Sequence, residues 1–202
     1  AIITEKFRKH NANQFHESFT ESSASVYYLM IGKATPFTAA TSGGTDVSPA
    51  TPADDITTEF YTWDQATALK NISSGDVSFA VPRRDWANGT TYDMYESNIS
   101  TSNVTTSGAS SIYESTFFFR TTDNRVYKVI DNNSGAAYSG AEPTSESTSL
   151  FTLGGYTLKY MYTISTSDFT KFMTADFMPV TTDSTVSAAA TDGEIISLVV
   201  TG

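Results

Sequence analysis

The sequence predicts an α+β fold that is mainly β, with two short amphipathic helices near the N-terminus. Serine and threonine supply 26 and 32 of the 202 residues, and both weaken helices and suit strands and turns. Thirteen Phe, eleven Tyr and two Trp provide large rings for a packed core. Because the chain has no cysteine, that core rather than disulfides must supply the stability.

The two helices are predicted from apolar residues at helical spacing. Phe7, Phe15 and Phe19 follow Thr4, which can cap the first helix. The second helix is predicted over 54–69, where two aspartates precede apolar residues that share one face. Those two aspartates are interpreted as a helix cap and not as a catalytic acid pair.

Strands are predicted where short apolar runs or alternating patterns end at turn residues. The predicted strands are 1–4, 26–31, 77–81, 113–121, 125–130, 156–164 and 195–200. The strand at 26–31 is expected to be buried, and Asp123-Asn124 predicts a hairpin. A short helical turn capped by Ser167 or Asp168 is expected after the sixth strand.

Changes in composition predict three regions along the chain. Residues 1–80 are expected to form an N-terminal α+β domain, and residues 81–180 a second, mainly β domain. Residues 181–202 are expected to be a linker and the first strand of a C-terminal region that is incomplete. Because the sequence starts at Ala1 and stops within an apparent strand and turn, we expect it to be a piece of a longer protein.

The charge of the chain bears on the partners that it can bind. A net charge of −10 argues against nucleic acid, whose backbone binds clustered Lys and Arg. The sequence has no run of about 18 apolar residues, so no membrane-spanning segment is predicted. The acidic surface is expected to seek basic protein neighbours, through contacts that salt weakens.

No catalytic, cofactor-binding or metal-ligating residues are predicted. His10 and His16 lie six positions apart, so they do not share a helix face as metal-binding histidines at i and i+4 do. The Asn-x-Ser/Thr triplets are expected by chance in a chain this rich in Ser and Thr.

The densest cluster of polar and aromatic side chains lies within residues 81–95. The candidate interface or inter-domain residues are Arg83, Arg84, Asp85, Trp86, Tyr92 and Tyr95. Arg, Trp and Tyr carry much of the binding energy of protein interfaces. A second interpretation is a self-contained corner, in which Asp85 pairs with its own arginines and Trp86 fills the local core. The two interpretations are compatible.

Seven separated segments occur in this chain in the same order as in one known family. They are 1–8, 26–32 with Pro36, Trp63, 81–86, 126–130, 154–162 and 178–180. Together they resemble the baseplate wedge subunit encoded by gene eight in T4-like contractile-tailed phages, over roughly residues 1–180. Segments without a counterpart are 35–54, 97–111 and the tail from residue 181.

The resemblance implies a two-part, β-sandwich-like architecture. It also implies a virion protein of the tail baseplate, assembled in the host cytoplasm, with no catalytic site or cofactor. It implies other wedge proteins and a second copy of the chain as partners. The implied role is to hold neighbouring wedge proteins together during assembly and during the rearrangement that triggers sheath contraction.

Composition alone favours a different class, a Ser/Thr-rich β-sandwich module such as a carbohydrate-recognising adhesin or tail-fibre domain. Such a module needs aromatic rings that line a groove beside polar groups. A hydrolase is a third hypothesis, and it would need two carboxylates facing one cleft. The spacing of Asp and Glu in this chain nominates no such pair.

Overall fold

The computed structural model describes residues 5–32, 45, 48 and 66–181. The chain forms two compact units, residues 1–77 and 78–202. The described strands form three antiparallel sheets of two, two and four strands. The mainly β character is therefore confirmed, whereas the sandwich arrangement is not. The division into regions 1–80, 81–180 and 181–202 stays a prediction, and the predicted strands 1–4 and 195–200 lie outside the described residues.

The first helix, α1 (Glu5–Glu17), lies where the apolar spacing predicts it. At its C-terminal end the rings of Phe15, Phe19 and Tyr27 pack together, with centroids between 4.7 and 5.3 Å apart. The Tyr27 hydroxyl also lies 3.0 Å from the hydroxyl of Ser18. These contacts attach the helix to the strand that follows it.

The first unit also contains an antiparallel pair of strands, β1 (Tyr27–Ile31) and β2 (Ala68–Ile72). The prediction of a buried strand at 26–31 is wrong in its burial, because Tyr28, Leu29 and Ile31 are each more than half exposed. The strand is held by pairing with β2 rather than by enclosure.

Most of the predicted second helix, residues 54–65, lies outside the described residues. Its predicted C-terminal end is wrong, because Leu69 lies in β2 opposite Met30. Pairing with a strand almost forty residues earlier outweighs the local helical spacing, which is a weak signal when tertiary contacts compete.

The second unit is built on a four-stranded sheet in the order β4-β5-β7-β6. Its strands are β4 (Phe118–Arg120), β5 (Arg125–Asp131), β6 (Phe151–Leu153) and β7 (Tyr156–Thr163). The predicted hairpin between β4 and β5 is confirmed, with Asn124 at φ 63°. Strand β6 was not predicted, although Gly154-Gly155, both at positive φ, is a hairpin signal in the sequence.

A smaller antiparallel pair completes the second unit. Strands β3 (Ala80–Pro82) and β8 (Phe177–Pro179) are hydrogen-bonded neighbours. Between β7 and β8 lies a short helix, α2 (Thr166–Phe172), whose N-cap is Ser165 and not Ser167 or Asp168 as predicted. The second described helix therefore lies far from the N-terminus.

Side chains of the four-stranded sheet enter two separate apolar clusters. The first cluster consists of buried Tyr92, Phe119, Tyr127, Val129, Tyr138, Tyr156 and Leu158. The second consists of Val126, Ile164 and Met178, with Val81, Phe118, Tyr162 and Met173 partly buried against it. Alternation along β5 sends Tyr127 and Val129 to the first cluster and Val126 to the second.

Candidate interaction site

Asp85 lies at the centre of an ion cluster that joins distant parts of the second unit. Its Oδ2 lies 2.7 Å from Nη2 of Arg83. Its Oδ1 accepts hydrogen bonds from Nη2 and Nε of Arg120, at 2.6 and 2.9 Å. Burial raises the pKa of the Asp85 carboxyl, but the hydrogen bonds from Arg83 and Arg120 outweigh it, so this pKa lies below its ordinary value.

The backbone holds the ion cluster in place on two sides. The N–H of Arg120 donates to the carbonyl of Arg84 at 2.7 Å, and the N–H of Trp86 donates to the carbonyl of Arg120 at 2.8 Å. On the other side, Arg83 donates from its N–H to the carbonyl of Asp176 and from Nη1 to that of Thr174. Residues 83–86 are thus tied both to β4 and to the turn before β8.

The sequence identified Asp85 and Arg83 but missed Arg120, the third member of the cluster. Only 8% of Arg120 is exposed, and its Nη1 also donates to Oδ1 of Asn124 at 2.5 Å. The only signal available was an arginine at the end of an aromatic strand. Its pairing with Asp85, 35 positions earlier, depends on the fold.

Arg84 differs from the other arginines of this region because no carboxylate pairs with it in the described part of the chain. Its Nη2 donates to the carbonyls of Tyr113 and Glu114 at 3.0 and 2.8 Å, and its guanidinium lies 5.5 Å from the Phe118 ring centroid. Its buried Nε has no hydrogen-bond partner within the described ranges. Burial lowers the pKa of Arg84, and the negative charges of Asp93 and Tyr113 oppose this shift without cancelling it.

Trp86 and Tyr92 contribute to the first apolar cluster. The Trp86 ring packs edge-on against Tyr138 at 5.9 Å, and its buried indole N–H has no partner in the part of the chain that the structure describes. Tyr92 is 3% exposed, and its ring lies 4.7 Å from that of Phe119. Its hydroxyl accepts from the N–H of Ala87 at 2.8 Å. The contacts of both residues match the self-contained corner that the sequence allowed.

Tyr95 lies on the surface beside a lysine. It is 38% exposed, and Nζ of Lys128 lies 3.2 Å from its ring centroid. Phe117 packs on the same ring at 5.2 Å. A cation–π contact of this kind is favourable. It does not neutralise the charge of Lys128 as a carboxylate would.

The sequence also missed Asp93, which is completely buried. Its Oδ1 accepts from the N–H of Ser107 at 2.8 Å, and its Oδ2 accepts from the hydroxyls of Ser107 and Ser115 and from the N–H of Thr116 at 2.7 to 3.0 Å. Burial raises the pKa of the Asp93 carboxyl, but the hydrogen bonds from these donors lower it by more. The pKa therefore lies below its ordinary value. Asp93 therefore fixes the loops at 105–116 from inside.

The described residues contain no group of three or more His, Asp and Glu side chains placed to hold a metal ion. Across that same part of the chain, no helix is long and apolar enough to cross a membrane.

A family model described as Bacteriophage T4, Gp8 matches residues 1–135. This range contains all six predicted interface residues, together with Asp93 and Arg120, and it ends before β6. No curated protein matches the chain.

Proposed function

We infer the role of this chain from its family. The chain belongs to the Bacteriophage T4 Gp8 family. It is a structural protein of the phage baseplate wedge, located in the virion tail. We propose that it holds neighbouring wedge proteins together during assembly. We further propose that these contacts persist through the rearrangement that triggers sheath contraction, and that each wedge contains two copies of the chain.

The observation that carries this proposal is the family match over residues 1–135, because it contains the whole candidate site. The geometry adds support from the way polar groups are used. Asp85, Arg83 and Arg120 bond one another, and buried Asp93 is fully engaged with loop donors. Such networks fix the shape of a surface, as an assembly protein requires.

Within the predicted site we propose a division of roles. Trp86 and Tyr92 stabilise the fold, since both pack into the first cluster. Arg84 and Tyr95 are the candidates for contact with a neighbouring protein. Arg84 makes no ion pair with a carboxylate among the described residues, although the charge of Asp93 acts on it. Tyr95 is partly exposed.

Wedge reconstitution followed by sedimentation tests the proposal. We expect Arg84→Ala to reduce the fraction of assembled wedge while circular dichroism still shows a folded chain. Trp86→Phe is the matched control, because it keeps a ring in the core and removes an indole N–H that has no partner. Normal assembly by folded Arg84→Ala would reject the role of Arg84, and absence of the chain from purified tails would reject the proposed function itself.

The carbohydrate-binding alternative is not favoured by the family. The described apolar groove of the second unit also lacks the polar groups that a sugar requires. That groove, between Val81, Phe118 and Met161, has only two polar side chains in its lining, Lys128 and Tyr162. The Tyr162 hydroxyl already donates to the carbonyl of Pro179.

A further inference from the structure

An apolar groove lies on the side of the four-stranded sheet where the second cluster packs. It has a volume of about 210 Å³, below the roughly 300–1,000 Å³ of small-molecule pockets. The lining residues come from β3, from β8 and its flanks, and from the four-stranded sheet: Val81, Phe117, Phe118, Val126, Lys128, Met161, Tyr162, Met178 and Val180. A groove of this size and character suits one or two apolar side chains of a protein segment.

Lys128 lines the groove, and two further cations, Arg84 and Lys159, contact or neighbour residues that line it. We refer to Arg84, Lys128 and Lys159 as the cationic row. Lys128 lies opposite Phe118 on one side and opposite Lys159 on the other, so these three side chains share one face of the sheet. Arg84 extends the row, because its guanidinium lies over the Phe118 ring. Neighbouring strands lie about 4.8 Å apart, so the row crosses the sheet from β4 to β7.

The cationic row stands out because the other arginines of the second unit are neutralised. Arg83 and Arg120 pair with Asp85, and Arg125 pairs with both Asp123 and Glu146. No member of the cationic row has a carboxylate partner among the described residues. This absence occurs in a chain with 22 acidic residues against 12 basic ones, so it does not reflect a shortage of carboxylates.

The placement of Lys128 opposite Lys159 is electrostatically unfavourable in the isolated chain, although the Tyr95 ring offsets part of the charge of Lys128. Burial, followed by the charge of Lys159, lowers the pKa of Lys128. Like charges placed directly opposite each other on neighbouring strands are destabilising. A carboxylate brought to this face would relieve that repulsion and would have apolar surface beside it to bury.

We propose that the groove and the cationic row bind an extended segment of a neighbouring wedge protein, in which apolar side chains are flanked by Asp or Glu. The apolar side chains fill the groove and the carboxylates meet the cationic row, an arrangement of complementary charge around an apolar centre. This inference rests on the proposed function and specifies the chemistry of one partner. It also reverses, for this face, the expectation that an acidic chain seeks basic neighbours.

The chain itself contains one segment of similar chemistry. Residues 182–202 include Asp183, Asp192, Glu194 and the apolar run 195–200, with no Lys or Arg. The test must therefore distinguish a neighbouring protein from this part of the same chain.

Photo-crosslinking in assembled wedges makes that distinction. A photoreactive amino acid replaces Met161, which lines the groove and is 48% exposed, and mass spectrometry identifies the attached peptide. The matched control carries the same group at Met94, which is 36% exposed and outside the groove. We expect position 161, and not position 94, to capture an acidic and apolar segment of another wedge protein.

Other results of this experiment would overturn the inference. Capture of residues 182–202 of the same chain, capture of a basic segment, or no crosslink from position 161 in assembled wedges would each do so. All three would leave the proposed function standing, since the chain would still be in the wedge. A chain that never enters wedges would instead reject the proposed function.

Lysine substitutions provide a second readout that depends on charge. We expect Lys128→Gln and Lys159→Gln each to weaken association with wedges that lack this subunit by about two- to fivefold, and added salt to weaken the wild type in the same way. Lys9→Gln is the control, because it makes the same change in net charge on exposed α1. Equal affinities for all three variants, or wild-type binding that is independent of salt, would contradict the inference.

Discussion

The two faces of the four-stranded sheet differ in whether their polar side chains have partners within the chain. On the first face Tyr127, Tyr138 and Tyr156 have no exposed surface, and each hydroxyl donates to a main-chain carbonyl at 2.6 to 2.9 Å. On the second face Lys128 and Lys159 lie opposite each other, and neither has a carboxylate partner in the described part of the chain. The chain completes the first face itself.

This difference separates stability from binding. Burial raises the pKa values of Tyr127 and Tyr138 to about 12 and that of Tyr162, beside the second cluster, to about the same value, so the two faces differ in their lysines and not in how their tyrosines are buried. The second face keeps charge beside apolar surface, a combination that gains free energy when a complementary protein arrives. Substitutions in the first cluster should therefore affect folding, whereas those of the exposed groove residue Met161 and of Lys159 on the second face should affect association.

The largest expected loss of stability comes from truncating a buried side chain in the first cluster. Phe119 is completely buried between Tyr92 and Tyr127, so Phe119→Ala should lower the free energy of unfolding by about 3–5 kcal/mol. Met161→Ala on the groove face is the comparison and should cost less than about 1 kcal/mol, because half of that side chain is exposed. Urea unfolding measures both, and similar costs would contradict the division between faces.

The buried carboxylate of Asp93 should give the next largest effect. Asp93→Asn replaces an acceptor of four hydrogen bonds with a neutral amide that cannot accept all of them. Because hydrogen bonds to charged groups are stronger, we expect a loss of about 2–3 kcal/mol in the free energy of unfolding, measured in urea at pH 7. Asp123→Asn, in the exposed β4–β5 turn, is the control and should cost less than about 1 kcal/mol.

The same carboxylate predicts a dependence on pH. The pKa of Asp93 in the folded chain lies below its ordinary value, so its contribution is fully present above the unfolded pKa of about 3.9 and is lost as pH falls through the folded value. Urea unfolding from pH 5 down to pH 2 should show a smaller loss of stability for Asp93→Asn than for the wild type. Parallel curves would mean that Asp93 does not titrate as described.

Removing the centre of the ion cluster should have an intermediate effect. Asp85→Ala leaves Arg120, which is 8% exposed, with Asn124 as its remaining side-chain partner. Because Asp85 itself is partly exposed, we expect about 1–3 kcal/mol of lost stability by thermal or urea unfolding. Arg83→Ala, which removes only the more exposed partner, should cost less. The reverse order would show that Arg120 is not the main partner of Asp85.

Local patterns in the sequence predicted the elements whose contacts are local. The aromatic spacing before Phe19 predicted α1, and the alternation of 125–130 together with Asp123-Asn124 predicted the β4–β5 hairpin. The corner at Arg83 and Asp85 was also visible, because the two partners lie two positions apart. In each case one short stretch of chain contained the whole signal.

Contacts between distant segments could not be predicted in this way. The sequence gives no pattern that joins Asp85 to Arg120, or β1 to β2, since each pairing is created by the fold. The burial of Asp93 was hidden for the same reason, because its donors come from loops at 105–116. The cationic row is a further example, because its three members lie far apart along the chain and meet only in the fold.

The smallest effect on folding should come from the second face. Lys159→Gln removes a positive charge directly opposite Lys128, so we expect the free energy of unfolding to stay unchanged or to rise by up to about 0.5 kcal/mol. Urea unfolding measures this, with Lys9→Gln on α1 as the control for net charge. A loss of more than about 1 kcal/mol would show that Lys159 has an important partner within the chain. An unchanged or higher stability combined with weaker wedge binding is the outcome that distinguishes a face kept for a partner from a face that completes the core.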